Sequence, residues 1–275
     1  MTAPDPAPAL PKVRIIERLE TVETDAWNAL GAAPYPFLRH EFLVALEEEG
    51  CLGERYGWLP RHVTLWDANE TLIGAVPLYL KFNSYGEFVF DWAWADAYAR
   101  HGLEYYPKLV SASPYTPATG PKLLIHPDGP AIVAEQLIEA TQQLAQALEV
   151  SSLHWLFTLP DENTLLESRQ LLRRVGCQFH WTNRGYSDFG DFLGALSSGK
   201  RKNIRKERRK VADAGITFRL LSGHTAADKD WATFHRFYEN TFDRRGGIPT
   251  LSRRFFERIA PEMPDQALRV MCDDA

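Results

Sequence analysis

Between residues 62 and 92 the chain has too little connecting length for a crossover from one end of a sheet to the other. HVTLW (62–66) is followed by the turn DANE (67–70), then by an apolar strand over 72–81, and shortly afterwards by FVFDW (88–92). A parallel connection takes about a dozen residues or more, whereas a hairpin closes with a few. These three strands therefore read as an antiparallel meander, and the remaining elements have to pack around it.

Upstream, VRIIE (13–17) reads as a strand. Thr24 caps a helix with Trp27 and Leu30, which Pro34 and Pro36 end, and 40–49 is a second helix with Phe42, Leu43 and Leu46 at helical spacing. Downstream, 130–150 is an amphipathic helix with Ile132, Leu137, Leu144 and Leu148 on one side. Then come a buried strand at 153–159, a helix at 162–175, a strand at 178–183, and a short helix opened by Ser187. A basic helix over 199–214 stops at Gly215. A strand at 216–221, helices near 226–243 and 251–260, and a strand from 268 follow. The pattern is mixed α/β (α+β), with sheets flanked by helices. Residues 1–12, MTAPDPAPALPK, lack a basic n-region and an apolar h-region and are rich in proline, which predicts a disordered tail rather than a signal peptide. Residues 13–187 form a first domain, and 188–275 a basic linker helix with the start of a second.

The order strand–helix–helix–strand at 13–66 recurs at 216–271. Within it, PFLRHEFL (36–43) echoes PTLSRRFF (249–256). The second copy stops where its third strand would begin, so the chain reads as a C-terminally truncated piece; a complete chain ending on an edge strand is the alternative.

The densest chemistry lies in DWAWADAYARHGLEYYPKLVSASPYTPATGP (91–121), which has little periodicity and reads as one long loop. Aromatic faces beside ionisable groups suit a binding cleft. Trp92, Trp94, Asp96, Tyr98, His101, Tyr105, Tyr106, Lys108, Tyr115 and Thr116 are the candidate substrate-binding residues. The ligand is a small-molecule, peptide or sugar acceptor. Asp91, at a strand end beside two tryptophans, is the candidate catalytic base, with a pKa raised by partial burial. The plainer reading is that Asp91 caps a turn and the aromatics are core.

Eight of the eleven residues from Lys200 to Lys210 are Lys or Arg, in a chain of net charge −5. Lys200, Arg201, Lys202, Arg205, Arg208 and Arg209 are therefore candidate anion-binding residues for the phosphates of CoA or tRNA, against the plain alternative of a solvated helix face. GALSSGKR (194–201) nearly spells a P-loop, but Arg stands where Ser or Thr should hold Mg²⁺, and the preceding segment is no strand; a nucleotidase is rejected. The histidines show no metal-ligand spacing, and no nucleophile motif surrounds a cysteine. Cys51, Cys177 and Cys272 are scattered and odd in number, which fits a reducing compartment, and no apolar run is long enough to span a bilayer. A cytoplasmic protein is expected.

DWAWADAY (91–98), YYPKL (105–109), PYTP (114–117) with GPKL (120–123), and GKRKNIRKER (199–208) together resemble the bacterial FemAB-like proteins, which are also described as peptidoglycan-biosynthesis-like or GNAT-family N-acetyltransferases. The resemblance covers residues 13–275. It implies tandem GNAT-like domains, the second incomplete. It also implies transfer of an acyl group from acyl-CoA, or an aminoacyl group from aminoacyl-tRNA, to an amine. The cofactor itself has no signature here. The Arg/Gln-x-x-Gly-x-Gly/Ala loop that cradles pyrophosphate in a working GNAT domain is missing from 91–121, where chain order places it. A non-catalytic module that recognises a cell-wall peptide or sugar is the alternative function.

Overall fold

The computed structural model describes residues 11–273. Strands β1 (Lys12–Ile16), β3 (His62–Trp66), β4 (Leu72–Val76) and β7 (Leu124–Ile125) form an antiparallel sheet in the order β1-β3-β4-β7. Strands β2 (Trp58–Pro60), β5 (Leu78–Lys81), β6 (Lys108–Ser111) and β8 (Leu153–Trp155) form a second sheet in the order β2-β5-β6-β8. Its pairs are antiparallel except β6–β8, which is parallel. Strands β9 (Thr217–Ser222) and β10 (Leu268–Asp273) make a separate antiparallel ribbon. Around them lie α1 (Thr24–Trp27), α2 (His40–Glu48), α3 (Trp92–Arg100), α4 (Val133–Ala147), α5 (Pro160–Ser168), α6 (Phe189–Gly194), α7 (Ser198–Asp213), α8 (Asp228–Arg245) and α9 (Arg253–Glu262). The architecture is mixed α/β, with sheets flanked by helices.

The run 72–81 is not one strand. Pro77 has no N–H to give to the ladder, and the hairpin bends there. The Leu78 N–H turns to the His62 imidazole (3.1 Å), and the Arg61 N–H donates to the Leu78 carbonyl (2.8 Å). The two halves of the hairpin thus enter different sheets, with Val76 facing Val63 on one side of the bend and Tyr79 facing Pro60 on the other.

Side-chain alternation gives the second sheet two faces. Leu78 and Leu109 join Val63, Val76 and the buried stripe of α4, Val133, Leu137 and Ile138. Each such buried side chain contributes about 1.5–3 kcal/mol. Gly74 lets α4 lie directly on β4, since a Cβ there would stand 2.7 Å from Val133 Cγ1. On the other side, Trp58, Tyr79 and Val110 share a core with Trp27, Leu43, Leu46 and, from α9, Phe255. The helices that echo each other in sequence, α2 and α9, pack together. The matched residues Phe42 and Phe255 meet edge to face at 5.5 Å, and Arg258 pairs with Glu48 and Glu49.

Several expected elements differ. No strand forms over 88–92: Phe88 takes φ +59°, outside the extended range, and Trp92 already begins α3. Residues 91–121 are not one loop, because they hold α3 and β6. Helix α3 alternates aromatic residues with alanine and buries none of its side chains, so it has no 3.6-residue apolar stripe to read. The helix expected over 162–175 ends at Ser168, and β8 covers only 153–155. Residues 178–183 pair with no strand among the described residues, and Phe179 is 98% exposed. Of the tail expected at 1–12, residues 1–10 lie outside the described residues, and Lys12 belongs to β1.

Candidate functional site

The chain leaves the second sheet at Lys81 and returns at Lys108, and these two lysines are cross-strand partners. Both are fully buried and both lie on the face that Trp58 and Tyr79 share. The excursion 82–107, which includes α3, folds back over that face and is pinned by its own stems. Lys81 Nζ donates to the Tyr85 carbonyl (3.1 Å) and sits 3.9 Å above the Trp58 ring, whose Nε1–H donates to the same carbonyl. Lys108 Nζ donates to Glu87 Oε2 (2.8 Å) and Asp91 Oδ2 (2.5 Å). Asp91 also accepts from the Tyr105 hydroxyl (3.0 Å) and from Arg174 (2.5 Å), with the His154 ring 3.7 Å away. Tyr106 bonds Ser84 at 2.9 Å. Gly86 closes the turn at φ +78°, where a Cβ would lie 2.5 Å from the Tyr115 ring.

The electrostatics follow from burial and pairing. Burial pushes the Asp91 carboxyl up, but the hydrogen bond and charge of Lys108, with Arg174, outweigh it and hold the pKa below the ordinary carboxylate value. The raised pKa expected for a catalytic Asp91 is therefore corrected: the sequence shows the neighbouring tryptophans but not the two cations that fold onto this carboxylate. Burial raises Glu87, and its Oε1 has no hydrogen-bond partner among the described residues. Burial and the Lys108 charge bring Lys81 down to about 7. Burial and the same charge bring His154 down to about 4, which leaves it neutral at pH 7. The carboxylates and lysines of this ionic network are closed off from solvent, and its role is to clamp the excursion onto the sheet.

The clamp displays an aromatic ledge on the outer side. Tyr85 meets Trp92 edge to face (5.4 Å), Phe90 stacks on Trp92 (5.9 Å), and Phe88 stands beside them in sequence, also exposed. Trp92 is 46% exposed and Trp94 58%. Tyr85, Phe90 and Trp92 thus form a continuous exposed aromatic surface.

The ten candidate binding residues thus divide. Trp92 is on the ledge, Trp94 is exposed two residues further along α3, and Asp96 and His101 lie on and after α3 outside the network. Tyr98 packs on Tyr105 (5.1 Å), and Tyr105, Tyr106 and Lys108 belong to the network or its edge. Tyr115 turns inward: its hydroxyl donates to the Cys51 carbonyl (2.7 Å) and its ring packs on Trp58, with Thr116 bonded locally to the Pro114 carbonyl. Sequence reasoning missed Lys81, Glu87, His154 and Arg174. The available signal was parity, since Lys81 and Tyr79 point the same way from one strand.

Helix α7 is the other charged element. None of its residues is buried, and Lys200, Lys202, Arg205, Arg208 and Arg209 are exposed. Arg201 donates to the Gly194 carbonyl (3.3 Å), and Arg208 lies 4.2 Å over the Phe189 ring. Beside it, Trp181, Asn183, Tyr186, Asp188, Phe189 and Phe192 line a cavity of about 310 Å³. The segment leading from β7 into α4 is 126–132, HPDGPAI. Among the described residues no group of His, Cys, Asp and Glu is placed to hold a metal ion, and no helix is long and apolar enough to cross a membrane.

No curated protein matches the chain. A solved structure, the ribosomal-protein-alanine N-acetyltransferase from Brucella melitensis biovar Abortus 2308, aligns with a TM-score of 0.37 and 13% identity, over 64% of this chain and 99% of that one. The family model FemAB-like, described as peptidoglycan biosynthesis/recognition, matches residues 18–275. The match takes in the clamp, the ledge and the basic helix alike, and the chain belongs to the FemAB-like family.

Proposed function

We propose that the protein transfers an acyl or aminoacyl group to an amine acceptor related to peptidoglycan. The observation that carries this reading is the presence together, in a peptidoglycan biosynthesis/recognition family, of an exposed aromatic ledge and a strongly cationic helix. Trp92 and Trp94 bind the acceptor, a peptide or sugar, through their exposed faces. Lys200, Lys202, Arg205 and Arg209 hold the phosphates of the donor, acyl-CoA or aminoacyl-tRNA. The acceptor amine attacks the donor carbonyl and a C–N bond forms. The bond to the CoA sulfur or the tRNA ribose oxygen breaks, and the amine proton leaves with that group or to solvent. Asp91 takes no proton in this scheme, because Lys108 and Arg174 outweigh its burial and hold its carboxyl below the ordinary carboxylate pKa. Two GNAT-type halves, 13–187 and 188–275, divide the acceptor and donor roles.

The test is mass-spectrometric detection of acylated muropeptide after incubation with acetyl-CoA or aminoacyl-tRNA. Trp92→Ala with Trp94→Ala is expected to raise KM for the acceptor about tenfold with kcat little changed, since uniform binding is lost. A second reading, a non-catalytic recognition module, is favoured by the locked state of Asp91. It requires saturable muropeptide binding and no product with either donor.

A further inference from the structure

Two apolar strips away from the ledge are open to solvent. The first lies in residues 171–184. This segment runs without a turn or bend, and no backbone N–H or C=O from 172 to 182 pairs with another backbone group among the described residues. Its side chains alternate as those of a strand do. Arg174 reaches Asp91, and Gln178 donates to the Pro117 carbonyl (2.9 Å), so these two face the body of the protein. Val175, Cys177, Phe179 and Trp181 alternate with them and are exposed, Val175 at 80%, Phe179 at 98% and Trp181 at 69%.

The second strip is the outer face of the β9–β10 ribbon. The register sets Leu220 opposite Val270 and Phe218 opposite Cys272, with Leu268 on the same face. Phe218, Leu220, Leu268 and Val270 are each more than half exposed, whereas Leu221 and Met271, on the opposite face, are buried.

The two strips match in form and in area. Residues 175–181 span about 20 Å, and each strand of the ribbon is of similar length. Neither strip carries a charge: 175–183 holds no Asp, Glu, Lys or Arg, and the outer face of the ribbon is Phe218, Leu220, Ser222, Leu268, Val270 and Cys272. Packing one on the other therefore strips no ion of its water. Val175, Phe179, Trp181, Phe218, Leu220, Leu268 and Val270 together hold roughly 900 Å² of accessible surface, on the scale of about 150–250 Å² for one aromatic side chain. A stable interface takes about 800 Å² from each partner, so either strip alone is about half of what is needed. A second copy of this chain supplies both halves at once.

We infer that the protein forms a two-fold dimer in which residues 175–181 of one copy pack face to face on the β9–β10 ribbon of the other, and the reverse. Two different patches that meet reciprocally close the assembly at two copies, whereas the same contact made in one direction only builds an open chain. The inference is independent of the transfer reading above.

Light scattering after size-exclusion chromatography, run over a range of concentrations up to high micromolar, tests it. The wild-type chain is expected at twice its monomer mass. Phe179→Lys and Phe218→Lys each break both copies of the contact and weaken dimerisation at least about tenfold. Both positions are exposed, so an unchanged melting temperature is expected and assigns the loss to the interface; if either variant is destabilised, Val175→Lys and Leu220→Lys supply the same comparison. The decisive arm is an equimolar mixture of the two variants. One then offers an intact ribbon and the other an intact 175–181 strip, so a mixed dimer held by one good contact forms where neither variant dimerises alone. A monomeric wild type, an open-ended series of larger species, a dimer that survives either substitution, or a mixture that stays monomeric overturns the inference.

Discussion

Asp91 ties separate parts of the chain together, because Tyr105, Lys108 and Arg174 all donate to its two oxygens. Removing its charge strands Lys108 in the interior with Glu87 as its remaining counter-ion. Asp91→Asn is expected to cost about 3–5 kcal/mol, read from urea unfolding, as for other broken buried pairs. Arg174→Ala, whose side chain is 55% exposed, should cost no more than about 1 kcal/mol. The pH dependence has two limbs. The lowered pKa of Asp91 means that its stabilisation is present at neutral pH and disappears as pH falls through the folded-state value. His154 titrates at about 4 when folded, against an ordinary histidine value of 6.5, so the unfolded chain binds the extra proton between these values. Stability therefore falls as pH drops from 6.5 to 4, by an amount on the order of 2–3 kcal/mol from this group. His154→Gln should flatten that part of the curve, measured as unfolding free energy against pH.

At the level of elements, the close approach of α4 to β4 depends on the bare backbone of Gly74. A Cβ there meets Val133 Cγ1 at 2.7 Å and Leu137 Cδ1 at 3.0 Å. Gly74→Ala is expected to cost about 1–3 kcal/mol by overpacking, with partial recovery when combined with Val133→Ala; the double cycle in chemical denaturation checks this. The α2–α9 contact is the second joint. Phe42→Ala and Phe255→Ala each remove a large buried ring and should cost about 3–5 kcal/mol. Because the two rings touch, the pair should be non-additive by more than about 0.5 kcal/mol in the same measurement. Helix α3 behaves differently: with no buried side chain, it is positioned by what lies at its ends, Asp91 before it and Tyr105 after it.

Across the whole molecule, structure and charge are separated. The clamp and both cores lie in the two four-stranded sheets and against α1, α2, α4 and α9, while the cations of α7 face solvent. Reversing Lys202, Arg205 and Arg209 to Glu should therefore leave unfolding free energy within about 0.5 kcal/mol, as for ordinary surface changes. The same variant should lose donor binding in filter-binding or calorimetric assays, and wild-type binding should weaken as salt rises. Unimpaired donor binding by the variant would remove α7 from the proposed mechanism.

The antiparallel pairing of β3 with β4, the long helix α4, the basic helix α7, and the echo between α2 and α9 were readable from sequence, whereas the third strand of the expected meander, at 88–92, does not form. Each is a local pattern: connection length, apolar period, charge density, or matched spacing. The split of 72–81 at Pro77 and the helix hidden in WAWADAYAR were not, because one depends on which sheet each half joins and the other has no buried stripe. The stretch 91–121 stands out by its composition, but its roles could not be divided from composition alone. Only the fold places Lys108 and Arg174 on Asp91, turns Tyr115 inward and leaves Trp92 and Trp94 facing solvent. The sequence determined which groups were present and which segments had regular structure. The tertiary structure decided their protonation and exposure, since both depend on neighbours brought from distant parts of the chain.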